Sequence, residues 1–125
     1  MSDNGRTSKK RDIQERTFAF ACRVVRLYQS LVKQKGDGEI LGKQLLPSGT
    51  SIGANLEEAA AGQSKFDFIS KCNVALKEAR ETHYWIRLLI NTEVVSVNKL
   101  NSLANESNEL VAILTTIVKK SRSCR

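Results

Sequence analysis

Four segments of this 125-residue chain space their apolar residues alternately four and three positions apart. That spacing places apolar side chains on one face of an α-helix, and no segment shows the sustained alternation that is typical of a strand. The segments run from about Asp12 to Lys35, from about Leu41 to Ala59, from Ser64 to about Asn91 and from about Ser96 to Lys119. Four such helices with short connections predict an all-α protein, an antiparallel up-and-down four-helix bundle.

Each predicted helix has one apolar face, which we call its core stripe. The core stripes are Ile13, Thr17, Phe20, Val24, Leu27 and Leu31; Leu41, Leu45, Gly49, Ile52, Leu56 and Ala59; Ile69, Cys72, Leu76, Ala79, His83, Ile86 and Ile90; and Leu100, Leu103, Ser107, Leu110, Leu114 and Ile117. The first helix has a second apolar stripe beside the first, consisting of Phe18, Ala21, Val25, Tyr28 and Val32. Together the two stripes form an apolar face that is wider than packing against one core requires. We therefore expect this helix to face both the bundle and a partner subunit.

The second predicted helix is poor in large side chains. Ten residues between Ser48 and Gly62 are Gly, Ala, Ser or Thr, and small side chains let neighbouring helix backbones approach closely. We therefore expect this segment to be a packing and assembly element. Pro47 lies inside its pattern and predicts a kink or a helix restart near Leu46. After the segment, Ser64 is predicted to cap the third helix.

The net charge of +7 comes from the two ends of the chain. Residues 1–11 carry a net charge of +3 and residues 119–125 carry +4, whereas residues 12–118 hold twelve bases and twelve acids. We therefore predict a basic disordered tail at 1–11, the four-helix bundle at 12–118 and a basic tail at 119–125. Such tails attract polyanions such as RNA or DNA, but they are equally typical of segments that only aid solubility.

Sites for metals, nucleotides and covalent catalysis lack the residues that they need. The single histidine, His83, follows Arg80 by three positions, so the Glu-x-x-His pairs of a di-iron bundle are absent. Gly42-Lys43-Gln44 lacks the Ser or Thr of a phosphate-binding loop, and Cys72 on a core stripe predicts an inert buried thiol. No Ser, His and Asp arrangement stands out. The sequence thus predicts no catalytic residue, no metal and no cofactor.

The cysteine spacing and the length of the apolar runs indicate in which cellular compartment the protein is expected. Cys22, Cys72 and Cys124 are widely spaced and form no CxxC pair, which argues against a disulfide framework and a zinc site. No apolar run approaches the length of a membrane span, and the polar N-terminus does not resemble a secretion signal. We expect a cytoplasmic protein with reduced thiols and no membrane partner.

Two basic stripes are candidates for contact with nucleic acid. They consist of Arg16, Arg23, Arg26 and Lys33 on the first helix, and of Lys77, Arg80, Tyr84 and Arg87 on the third. Cations beside a stacking ring suit a phosphate backbone and an unpaired base. Alternatively, these are solvated faces whose arginines pair with acids of the next helix or subunit, with Tyr84 and Trp85 packed into an interface. The residue types favour the second interpretation without excluding the first.

Two segments resemble a known family. SIGANLEEA at 51–59, preceded by Gln44-Leu45-Leu46 and followed by ALKEARETHYWIRLL at 75–89, resembles the four helix bundle protein family, also called the 23S rRNA intervening sequence protein family. The resemblance covers Ile13 to Ile117. It rests on Ser51, Ile52, Asn55 and Glu58, and on three features of the third helix: Lys77-Glu78, Glu81 and Tyr84-Trp85.

The resemblance implies a left-handed antiparallel bundle that assembles as a ring-like homopentamer. It also implies a protein encoded in some bacteria within segments that interrupt large ribosomal RNA genes. The accessory protein of diversity-generating retroelements is more distantly similar. That protein is a basic pentamer that binds nucleic acid and a reverse transcriptase.

The periodicity and the resemblance together predict a hydrogen-bonded polar cluster. Its predicted members are Ser51, Asn55, Glu58, Glu78, Glu81 and His83, brought together by the second helix and an antiparallel neighbour. Buried polar groups that are fully hydrogen-bonded roughly break even in stability. We therefore expect this cluster to set the register of helices or subunits.

The sequence leaves two hypotheses of function, neither of them enzymatic. The first is an oligomeric scaffold that binds RNA or DNA electrostatically through its tails and basic stripes. The second is a protein-interaction scaffold that recruits a partner enzyme, such as a reverse transcriptase, without a direct role for nucleic acid.

Overall fold

Four α-helices follow one another along the chain in the order that the periodicity predicts. The structure, a computed structural model, describes the backbone of residues 4–123 and the side chains of residues 13–123. The helices are α1 (Asn4–Gln34), α2 (Asp37–Ala60), α3 (Lys65–Asn91) and α4 (Val97–Ser123), and the described residues contain no strand. The prediction of an all-α four-helix protein is confirmed.

The helix ends differ from the prediction mainly at the two ends of the chain. α1 begins before Asp12 and α4 continues past Lys119. The periodicity of apolar residues detects only the part of a helix that faces a core, and residues 4–11 contain no apolar side chain. The division into two tails and a bundle stays a prediction, and residues 1–3 and 124–125 of those tails lie outside the described residues.

The helices pack in sequence order around one core. Within residues 4–123, the backbone of α2 lies close to the backbones of α1 and α3, and that of α3 lies close to that of α4. The backbones of α1 and α4 approach each other less, and those of the diagonal pairs lie farther apart. The predicted core stripes lie inside. The fully buried large side chains include Phe20, Leu31, Leu45, Ile52, Ile86, Leu89, Leu100, Leu110 and Leu114. The second stripe of α1 stays partly outside, with Phe18 64% exposed and Val25 36% exposed.

Local signals explain where the helices begin and end. The Oγ of Ser64 accepts a hydrogen bond from the backbone N–H of Asp67 at 3.1 Å, which confirms the predicted cap of α3. Lys35 and Gly36 connect α1 to α2 with φ values of 62° and 73°. The ψ of −147° at Gly36 lies in a region that essentially only glycine adopts.

Among described residues, no helix is long and apolar enough to cross a membrane.

α2 runs without interruption through Pro47, so of the two predicted outcomes near Leu46 the helix restart is wrong, and the kink stays a prediction. Proline removes one backbone donor, but its exposed position leaves the ring outside the core. Hydroxyl groups of the following turn donate to carbonyl oxygens around it: Thr50 Oγ1 to Leu46 O at 2.8 Å and Ser51 Oγ to Pro47 O at 2.6 Å. The carbonyl oxygen that loses its donor at Pro47 is that of Lys43, four residues earlier, so these bonds belong to the next turn and do not replace the missing one.

The small residues of α2 bring its backbone against α1. A Cβ added at Gly49 would lie only 2.8 Å from both Cγ1 and Cγ2 of Val24, and a Cβ at Gly53 would lie 3.3 Å from Oγ1 of Thr17. Glycine is therefore required at Gly49 by the closeness of the neighbouring helix. The structure agrees with the expectation that this segment is a packing element.

Candidate nucleic-acid interface

The basic stripe on α1 is divided between contacts to α4 and solvent. The guanidinium of Arg16 binds Glu106 through Nε at 2.9 Å and Nη2 at 2.8 Å, and Nη2 also lies 2.7 Å from Glu109. These hydrogen bonds raise the pKa of Arg16 above its already high ordinary value. Arg23 Nη2 donates to Ser102 Oγ at 3.0 Å. Half of this stripe therefore joins two helices, as the alternative interpretation requires.

The other half of that stripe, Arg26 and Lys33, is exposed. It lies on α1, which is diagonal to α3, and the backbones of these two helices do not approach each other closely within the part of the chain that the structure describes. The stripes on α1 and α3 therefore do not form one continuous surface on a single subunit.

The stripe on α3 is exposed along its length. Lys77, Arg80, Tyr84 and Arg87 all face solvent. The ring of Tyr84 packs edge-on against Trp85 with centroids 5.1 Å apart, and the Arg87 guanidinium carbon lies 6.0 Å from the Tyr84 centroid. A half-exposed ring next to cations suits base stacking, and it suits a protein interface equally well.

A third surface results from the antiparallel order of the helices. Arg16 contacts Glu109 and Arg23 contacts Ser102, so the start of α1 lies beside the end of α4. His83 contacts Ser107, which places the start of α3 beside the same end of α4. The two basic segments, at opposite ends of the sequence, therefore meet at one end of the bundle. We call this end, made of residues 4–12, 57–72 and 119–123, the basic pole.

Charge is unevenly distributed between the two ends of the bundle. The basic pole holds nine Lys or Arg against four Asp or Glu, whereas the opposite end, residues 30–43 and 84–103, holds five against three. Lys71, Lys119 and Lys120 are exposed at the basic pole. A local excess of five positive charges on one end produces a field that attracts polyanions.

Among the described residues, the six members of the predicted polar cluster form no hydrogen bond with one another between helices. Asn55 Nδ2 donates to the carbonyl oxygen of Ser51 on its own helix at 2.8 Å, and Glu58 is exposed. Glu81 accepts a hydrogen bond from Trp85 Nε1 at 3.0 Å. The remaining two are Glu78, which is half-buried, and His83, which contacts α4. A role for these residues between subunits stays a prediction.

Other hydroxyl groups make the polar contacts between helices. Ser48 on α2 and Thr82 on α3 are both buried, with 3.0 Å between their oxygens. Sequence reasoning did not pair them, although Ser48 lies in the small-residue segment and Thr82 lies one position before His83. These uncharged contacts join α2 to α3 at little desolvation cost, because both hydroxyls also lie within hydrogen-bond distance of carbonyl oxygens of their own helices.

His83 links α3 to α4. Its Nδ1 lies 2.7 Å from Ser107 Oγ, and Ser107 donates its own proton to the Ala104 carbonyl oxygen at 2.8 Å. The hydrogen-bond network therefore assigns the N–H to Nδ1 of His83, which donates to Ser107. Burial, and then the charge of Arg87, lower the pKa of His83.

Stability is expected to fall on acidification because of His83. A folded-state pKa below the unfolded value means that the unfolded chain binds the proton more readily. The contribution of neutral His83 is therefore fully present above about pH 6.5 and is lost as the pH falls through the lowered folded-state pKa. Urea unfolding at a series of pH values between 7.5 and 5 measures this loss.

The matched variant is His83→Gln, which keeps an amide donor but does not titrate. Burial, followed by the Glu81 charge, raises the pKa of Glu78 and gives it a pH dependence of opposite sign. The comparison is therefore the difference between wild type and His83→Gln at each pH. A difference that does not change with pH contradicts the assignment.

The described side chains offer no metal site, and the buried thiol is unreactive. Among the side chains of residues 13–123, no three His, Cys, Asp or Glu residues lie close enough to hold a metal ion. Burial raises the pKa of the Cys72 thiol, which keeps it in the unreactive protonated form.

Comparison with known proteins places the chain in a family. Residues 9–116 match the model of the 23S rRNA-intervening sequence protein family. A crystal structure of a protein of unknown function from the S23 ribosomal protein family of Bacteroides thetaiotaomicron is 44% identical, with a TM-score of 0.81 over 89% of this chain and 98% of that one. No curated protein matches the chain. Since the family match spans most of its length, the protein belongs to the 23S rRNA-intervening sequence protein family.

Proposed function

We propose that this protein is a non-enzymatic, cytoplasmic homo-oligomer that binds RNA or DNA through its basic pole. The observation that carries the proposal is the meeting of both basic ends of the chain at one end of the bundle. Three separate segments contribute cations there, and a phosphate backbone is recognised mainly by such clustered charge. The family name, which refers to a sequence that interrupts ribosomal RNA, makes RNA the first probe to test.

Self-association is supported by the second stripe of α1. Phe18 and Val25 leave apolar surface on a face that the bundle core does not use. An exposed apolar face on a helix that also packs into the core is typical of subunit interfaces. A ring-like homopentamer, as the resemblance implies, places several basic poles in one assembly and multiplies their affinity for a long polyanion.

Two variants of equal charge test the proposal. One replaces Lys9, Lys10, Lys119 and Lys120 with glutamine at the basic pole, and the other replaces Arg26, Lys77, Arg80 and Arg87 with glutamine on the two stripes. Each lowers the formal charge of the full chain from +7 to +3. Affinity for a fluorescein-labelled single-stranded RNA of mixed sequence is measured by fluorescence anisotropy between 50 and 200 mM salt.

The pole variant is expected to lose at least about tenfold in affinity, with a shallower dependence on salt, because fewer counterions are released on binding. The stripe variant is expected to lose no more than about threefold, since distant exposed charges are largely screened in this salt range. A larger loss in the stripe variant contradicts the proposal. Affinity that neither variant changes favours the protein-interaction scaffold instead.

A further inference from the structure

A large aromatic ring is exposed at the basic pole. Phe66 on α3 is 78% exposed, the largest exposed fraction among the large hydrophobic side chains that the structure describes. Six residues of an α-helix turn through about 600°, so Phe66 points about 120° away from Cys72, which lies in the core. The ring therefore does not pack into the core of its own subunit and is available for contact with a ligand.

Phe66 lines a groove between the start of α3 and the end of α4. The groove has a volume of about 560 Å³, and its lining residues are Lys65, Phe66, Ile69, Ser70, Asn73 and Arg122. Phe66 and Ile69 provide apolar surface, whereas the other four carry hydroxyl, amide or cationic groups. A nucleobase has matching properties, because its faces stack on aromatic rings and its edge carries hydrogen-bond donors and acceptors.

Two polar side chains of the groove make no hydrogen bond with the rest of the described structure. Asn55 and Asn91 donate to carbonyl oxygens of their own helices, whereas the amide of Asn73 and the hydroxyl of Ser70 form no such bond among the described residues. Both lie on the face of α3 that carries Phe66, seven and four positions after it. They are therefore placed to contact the edge of a base that stacks on the ring.

Among the described residues, the groove is lined by two cations and by no acid. Lys65 and Arg122 line it, and Lys119 is exposed three positions before Arg122 on α4. Asp67 faces the loop after α2 instead, because a Cβ added at Gly62 would lie 3.3 Å from the Cβ of Asp67. The other three acids of the basic pole belong to the two helices that do not form the groove: Asp12, Glu57 and Glu58. The charge at the groove therefore favours a phosphate group.

We propose that this groove binds an unpaired nucleobase stacked on Phe66, with the adjoining phosphates beside Lys65 and Arg122. The inference rests on the proposed function and deepens it, because it makes single-stranded nucleic acid the ligand class of the basic pole. The charge of the pole attracts single strands and duplexes alike. The bases of a duplex are paired and stacked on one another, so their faces do not reach a ring on a helix surface.

The variant Phe66→Ala tests the stacking. Fluorescence anisotropy measures its affinity for the single-stranded RNA of mixed sequence and for the duplex of that RNA with its complementary strand. We expect a loss of at least about fivefold for the single strand, because one base no longer stacks, and of less than about twofold for the duplex. The dependence of affinity on salt is expected to stay as in wild type, because the uncharged ring releases no counterions.

Two further variants locate the effect. Phe66→Trp keeps an aromatic face and is expected to bind the single strand within about twofold of wild type. Tyr84→Ala removes another exposed ring, 18 positions further along α3 and about 27 Å away, and is expected to bind as wild type does. A loss in Tyr84→Ala as large as that in Phe66→Ala overturns the assignment to Phe66.

Three further results overturn the inference. The first is unchanged affinity of Phe66→Ala for the single strand, and a loss of affinity in the pole variant then leaves the proposed function standing. The second is an equal loss for the single strand and the duplex, and a smaller assembly by light scattering then assigns the ring to a second copy of this chain. The third is absence of binding of wild type to both probes, which overturns the proposed function as well.

Discussion

Phe20→Ala is expected to lower the free energy of unfolding by about 3 to 5 kcal/mol. Phe20 is 1% exposed and is among the largest fully buried side chains of the core. Its removal costs the transfer free energy of the ring and leaves a cavity between α1 and its neighbours. Since a domain of this size is stable by only about 5 to 15 kcal/mol, urea is expected to unfold this variant at a much lower concentration.

Phe18→Ala is the matched control for this prediction. Phe18 lies on the same helix, two positions away, and is 64% exposed. Its replacement is expected to change the stability of a dilute, dissociated subunit by less than about 0.5 kcal/mol. If the second stripe of α1 joins subunits, the same replacement reduces the assembly mass in light scattering. Equal losses of stability in the two dilute variants contradict the assignment of the core.

Gly49→Ala is expected to cost about 1 to 3 kcal/mol, although alanine forms helix better than glycine. The added Cβ meets both methyl groups of Val24 at 2.8 Å, so either the side chain or the helix must move. Urea unfolding measures the cost. Adding Val24→Ala removes the two methyl groups and is expected to restore part of the loss, which a double-mutant cycle quantifies.

Gly42→Ala is the control for Gly49→Ala on the same helix. Its Cβ lies 3.2 Å from Cδ1 of both Leu31 and Tyr28, which is a milder overlap than the 2.8 Å at Gly49. We expect a smaller loss, partly offset by the better helix propensity of alanine. A cost at Gly42 as large as the cost at Gly49 contradicts the view that α1 and α2 approach most closely at Val24.

The helices and their buried faces were predictable because apolar periodicity reports directly on which residues face a core. Ser64 and Asp67 also predicted their hydrogen bond correctly, since a cap depends on residues only three positions apart. Pro47 shows the limit of such local rules. A local rule predicts that proline interrupts a helix, but the exposed ring of Pro47 is accommodated and α2 continues through it.

Contacts between helices were less predictable, because a helical face does not identify its partner. Glu81 was expected beside Asn55 but accepts a hydrogen bond from Trp85 on its own helix. The buried pair Ser48 and Thr82 carries no charge and gave no signal in the sequence. The basic pole was only partly predictable. Charge at both ends of the chain was visible, but its position relative to α3 depends on how the helices pack.

Crosslinking tests the central claim, that the antiparallel fold joins the two basic ends into one nucleic-acid interface. The full chain is irradiated with a 4-thiouridine-labelled single-stranded RNA, and the crosslinked peptides are identified by mass spectrometry. Crosslinks are expected within residues 4–12 and 119–123, with others near Lys71. Crosslinks that concentrate around Tyr84 on α3 and spare both basic ends would contradict the claim.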